Sequence, residues 1–107
     1  MKRGTPAAAR LWTIEVDEGM ERKIRETVRE VSIPMLSKQK GFVKLFVLRG
    51  KEEPKRYSWL SLWSDMKSLE AARESKPWKN AVSKFLRKIS IKEEPQISHF
   101  EVFTESP

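Results

Sequence analysis

The chain has 107 residues, no cysteine, 35% charged residues and a net charge of +7. That length suits one domain with one core, burying roughly two-thirds of the surface its unfolded chain exposes, and without cysteine there is no disulfide framework or thiolate metal site. No apolar run approaches the roughly 18 residues of a membrane span, and the composition points to a cytoplasmic protein whose Lys/Glu richness is of the kind seen on thermophile surfaces.

Residues 1–10 have basic flanks but no apolar centre for a signal peptide and read as a flexible tail, leaving 11–105 as the domain. Leu11 to Val16 alternates apolar with polar residues, predicting a first strand closed by Asp17-Glu18-Gly19. Met20, Ile24, Val28, Val31 and Met35 then recur at spacings of three and four, the period of a helix. Pro34 removes a backbone donor and clashes one turn back, so this helix should kink or restart near Ser32 and end at Gly41.

Two strands follow, Phe42 to Leu48 and Arg56 to Trp63, joined by an exposed hairpin loop over 49–55. Both are apolar on both faces. Val43, Leu45, Val47, Leu60 and Leu62 are assigned to one set of faces and Phe42, Phe46, Trp59 and Trp63 to the other. The chain's own helices can cover one set, and the other needs a partner sheet, which predicts a homodimer through the open sheet face.

Ser64 or Asp65 can cap the next helix, whose inward face is Met66, Leu69 and Ala72 or Arg73. It breaks at Ser75-Lys76-Pro77, and a second piece carries Trp78, Val82, Phe85 and Ile89 inward. Glu93-Glu94-Pro95 ends it, and Ile97 to Thr104 alternates as a last strand. The order βαββαβ, with helices on one face of a four-stranded antiparallel sheet, is a ferredoxin-like α+β fold.

Arg73 to Lys92 holds seven basic residues against the single acid Glu74. Such a run is either a footprint for nucleic acid or the solvated face of a helix. Trp78 and Phe85 fall on the buried stripe, and no RNA-recognition strand signature is present, so nucleic-acid binding is the third reading. Four indoles, Trp12, Trp59, Trp63 and Trp78, can wall an aromatic pocket or simply pack a core. Asn80 is a neutral hydrogen-bonding candidate one turn after Trp78. His99 is the only side chain with an ordinary pKa near neutrality, hence the default general base, with a structural hydrogen bond to a neighbouring strand or to Glu101 as the alternative. One His and no Cys make no metal constellation, and neither a phosphate loop nor a nucleophile elbow is present.

Pro34 before Gly41-Phe42, then Arg56-Tyr57 leading to Leu62-Trp63-Ser64, then a helix broken at Ser75-Lys76-Pro77-Trp78, resembles the antibiotic biosynthesis monooxygenase domain of the dimeric α/β barrel superfamily. The resemblance runs from Leu11 to about Phe103. It implies a homodimer with a pocket between sheet and helices, and oxidation of a small aromatic or quinol-like substrate with no cofactor. It also places Trp63 and Trp78 at the cleft, beside Trp59, and puts Arg73 where many relatives carry a His, so that its guanidinium could hold an enolate or phenolate. The haem-degrading branch uses an Asn in the first strand and a Trp and His on the second helix. Their positions here are occupied otherwise, which disfavours haem degradation. The second reading is a non-enzymatic ligand-binding or stress-related module.

Overall fold

The computed structural model describes residues 5–107. It contains β1 (Ala8–Glu15), α1 (Glu21–Thr27), a π-helical turn (Val28–Ser32), α2 (Ile33–Ser37), β2 (Phe42–Arg49), β3 (Arg56–Trp63), α3 (Met66–Glu74), α4 (Lys76–Lys88) and β4 (Gln96–Glu101). The sheet order is β2-β3-β1-β4 with every pairing antiparallel. This is the expected ferredoxin-like βαββαβ arrangement.

Several boundaries differ from expectation. β1 begins at Ala8, which pairs with Trp63 and Glu101, so Ala8, Ala9 and Arg10 belong to the sheet rather than to a tail. Residues 1–4 of the expected tail lie outside the described residues. β4 ends at Glu101 rather than Thr104. The faces of β2 also need correction. Pairing slips by one residue between Phe42 and Lys44, a bulge that turns Phe42 onto the helix side beside Trp63 and leaves Phe46 on the opposite face. Leu45 and Val47 therefore join Trp59 and Trp63 under the helices, while Phe46 and Leu48 share the open face with Leu60 and Leu62. A single extra residue inverts a strict alternation.

Pro34 acts one turn upstream of itself. Its ring would collide with the carbonyl of Glu30 in a regular helix. Instead the backbone widens, and the Ile33 N–H reaches the Val28 carbonyl five residues back. The resulting π turn aims Val31 and Ser32 at the sheet, and Ser32 is 9% exposed.

The helix side of the sheet carries two clusters instead of one. Ala8, Leu36, Phe42, Trp63, Leu69, Ala72 and Trp78 form the first. Ile14, Val16, Ile24, Tyr57, Trp59, Phe85 and Ile89 form the second. Along β3, every second residue from Tyr57 to Trp63 is buried, which shows that one strand feeds both. Of the basic run, Arg73, Lys76, Lys79, Lys84, Arg87, Lys88 and Lys92 all lie outside the buried core.

Ser75 joins α3 to α4. Its hydroxyl donates to the Ala72 carbonyl at 2.6 Å and accepts from the Trp78 N–H at 3.3 Å, so one side chain closes the first helix and caps the second. Pro77 occupies the first turn of α4, where a missing N–H is harmless. Ser75→Ala should lower stability by about 0.5–2 kcal/mol in denaturant unfolding. A loss below the detection limit would show that the backbone alone sets this corner.

Candidate functional site

The two core clusters are separated by one cross-strand row of the sheet. Leu45 pairs with Ser61, Ser61 with Arg10, and Arg10 with His99. The row on one side is Val47, Trp59, Trp12 and Ile97, and on the other Phe42, Trp63, Ala8 and Glu101. Bulky rings thus flank a row whose centre is a serine. The helices rest on the rings and leave a cavity of about 80 Å³ over the gap.

Arg10, Trp12, Leu45, Trp59 and Ser61 make the floor. Val31, Ser32, Met35 and Leu36 supply one wall from the π turn and α2, and Trp78, Ala81, Val82 and Phe85 the other from α4. Trp12, Trp59 and Phe85 meet edge to face with centroids 5.2–5.4 Å apart, a preferred geometry for aromatic rings that fixes their planes.

The polar groups of the cavity follow from these rings. The Trp59 indole N–H donates to the Ser32 hydroxyl oxygen at 3.3 Å, and that of Trp63 to the Ser61 hydroxyl oxygen at 2.9 Å. Each serine oxygen already accepts, which leaves its own proton available to donate. Arg10 projects from β1 with its guanidinium over the Trp78 ring, Cζ 5.2 Å from the centroid. Its Nε is buried with no hydrogen-bond partner among the described residues. Burial lowers the Arg10 pKa to about 10, and the charge of Arg73 adds to the effect. The guanidinium still stays protonated at neutral pH.

The expected site residues divide. Trp59 and Trp78 line the cavity. Trp63 stands behind it, fully buried, 5.5 Å from Phe42 and 6.2 Å from Trp78 between ring centroids. His99 lies in the floor row beyond Arg10 but is exposed at the sheet edge. Burial, then the charges of Arg73 and Arg10, hold its imidazole below its ordinary pKa, against the pull of Glu70. Arg73 is exposed on α3 and does not reach the cavity lining, although its charge is felt by both Arg10 and His99. Asn80 is exposed on α4 and stands outside the lining.

Sequence reasoning missed Arg10, Ser32 and Ser61. The signal for two of them was available: continuing the period of Trp12 and Ile14 backward puts Arg10 on the inward face, and Ser61 sits between Trp59 and Trp63 at the same parity. Ser32 carried no such signal, because its aim depends on the π turn.

The antibiotic biosynthesis monooxygenase family model matches residues 9–84. No curated protein matches the sequence significantly. Among solved structures, a point mutant of SnoaB, a cofactor-independent oxygenase from Streptomyces nogalater, superposes with a TM-score of 0.77 at 14% identity, covering 96% of this chain and 99% of that one. A Bordetella bronchiseptica protein described as a candidate antibiotic biosynthesis monooxygenase gives a TM-score of 0.76 at 19% identity, covering 91% and 97%. A conserved Methanosarcina mazei protein gives 0.71 at 19% identity, covering 89% and 92%. These likenesses carry the fold, and the family match spans most of the domain; the chain belongs to the antibiotic biosynthesis monooxygenase family.

Proposed function

We propose that the protein is a cofactor-independent monooxygenase acting on a small, electron-rich aromatic of the quinol type, and that it works as a homodimer. The observation that carries this reading is the cavity between sheet and helices, walled by Trp12, Trp59, Trp78 and Phe85, with the Arg10 guanidinium and the Ser32 and Ser61 hydroxyls as its polar groups and no carboxylate in its lining. SnoaB, of the same fold, is described as a cofactor-independent oxygenase.

Without a cofactor, dioxygen must take its electrons from the substrate. For a quinol, insertion of one oxygen atom to give the hydroxyquinone consumes one dioxygen and releases one water, with all four electrons coming from the substrate ring. The protein's task is to hold the ring, stabilise negative charge and exclude water. Flat apolar walls with a few donors meet that need. Arg73, outside the lining, acts through its long-range charge.

Oxygen consumption with a panel of quinols and anthrones, without added metal, flavin or haem, tests the activity. Trp78→Leu should lower turnover up to about tenfold through the lost ring contact, worth ~0.5–1.5 kcal/mol. Arg73→Ala should weaken kcat/KM chiefly at low salt. The second reading, a module that binds without turnover, would use the same cavity, whose resting volume of about 80 Å³ is smaller than the usual 300–1,000 Å³ of ligand pockets. Absence of oxygen uptake across the panel would select it.

His99 is the proposed base. Its lowered pKa makes it neutral, and able to accept a proton, at pH 7. Activity should therefore fall only as pH drops below the ordinary histidine range of about 6.5, and His99→Gln should abolish that acid limb. If the limb survives in His99→Gln, another group titrates.

The dimer reading rests on the open sheet face. Phe46 (42% exposed), Leu48 (46%) and Phe100 (48%) stand there with Leu11, Leu60 and Leu62, too much apolar surface to leave in water. A stable interface buries on the order of 1,200–2,000 Å². Sedimentation at micromolar concentration should give twice the 12.6 kDa chain mass, and Leu60→Asp should give a single chain. A wild-type monomer would remove the partner from the proposal.

A further inference from the structure

Arg10 is the residue that the packing leaves unexplained. It lies under an apolar roof with a buried Nε that has no partner, and none of the ion pairs among the described residues includes it. Arg10 is half-buried, and a partly desolvated charge without a counter-charge costs stability that an apolar side chain of similar volume would not. The surroundings add to the cost. The charge of Arg73 opposes that of Arg10, and the cross-strand neighbour of Arg10, His99, offers no counter-charge. Against this stands the attraction of the guanidinium to the face of Trp78.

The rest of the lining has the same bias. Ser32 and Ser61 each accept from an indole N–H and keep an O–H proton that can be given to a ligand. Among the described residues the cavity has donors, a cation and no carboxylate in its lining. Such a site matches an acceptor-rich, negatively charged group.

We propose that Arg10 is the anion-binding residue of this cavity and that the ligand is a planar aromatic monoanion. Its ring lies against Trp59 and Trp78, and its oxyanion or carboxylate takes the Arg10 Nε–H and the Ser61 O–H. For the fate of the ring this rests on the oxidation proposed above; the binding itself does not.

Ligand-observed ¹⁹F NMR titration tests it with two matched pairs: pentafluorophenolate against pentafluoroanisole, and 4-fluorobenzoate against 4-fluorobenzamide. The wild type should bind at least one anion about 10- to 100-fold more tightly than its neutral partner, the range of a charged hydrogen bond. The pair with the larger ratio tells whether the charge belongs on the ring oxygen or on a carboxyl group. Arg10→Met should erase the preference by weakening the anion far more than its neutral partner, and leave Tm equal or higher. Arg10→Lys should keep part of the preference. Equal binding of both members of each pair by the wild type would overturn the assignment, as would an anion preference that survives Arg10→Met. A fall in Tm with equal loss of anion and neutral ligand would show that Arg10 is structural; if Arg10→Met does not fold, the wild-type pairs and Arg10→Lys decide. Oxygen uptake is measured separately, so anion binding without uptake would uphold Arg10 and reject the oxygenase.

Discussion

The site depends on a spacing constraint in one strand. Tyr57, Trp59, Ser61 and Trp63 all point at the helices, and the two indoles set how closely α4 and the π turn can approach the sheet. Ser61 is far smaller than its neighbours. Close packing over it would require the helices to bend into a gap one residue wide, which their stiffness does not allow. The gap therefore persists as a cavity between two separately packed clusters.

The same rings determine the polarity of that cavity. An indole N–H buried against a sheet needs an acceptor, and Ser61 and Ser32 provide one each. Each hydroxyl accepts one such bond and keeps a proton to donate. Arg10 enters from the neighbouring strand in the same cross-strand row. Stability and function pull in opposite directions there, because a cation that the packing would be better without is what an anionic ligand would require.

Helix geometry supplies the remaining wall through two breaks. Pro34 forces the π turn that brings Val31 and Ser32 inward, and Ser75 with Pro77 sets the corner from which Trp78 reaches Arg10. Surface ion pairs such as Arg22–Glu26 and Arg25–Glu21 are exposed, and water screens them so that they add little. The fold is held from inside, and the basic residues of α4 lie exposed on its outer face.

Much of this was legible in the chain before folding. Period-two and period-3.6 patterns marked every strand and helix, Pro34 marked the irregular turn, and Ser75-Lys76-Pro77 marked the break, because local sterics and capping act over a few residues. The indoles were named as walls from residue type and the family resemblance, which favoured Trp63 with Trp78, whereas Trp59 and Trp78 are the ones that line the cavity with Trp12. The bulge at Val43 could not, since nothing local distinguishes an extra residue in an apolar run, and it decided which faces of β2 pack together. The start of β1 was misplaced because an alanine run reads as a tail until Ala8 pairs with Trp63 and Glu101, and Ala9 with Leu62 and Phe100. Arg73 and His99 were singled out by residue type, yet what lines a cavity is set by register across strands distant in sequence. Only that register put Arg10 between Ser61 and His99, where burial gives an ordinary arginine an unmet charge.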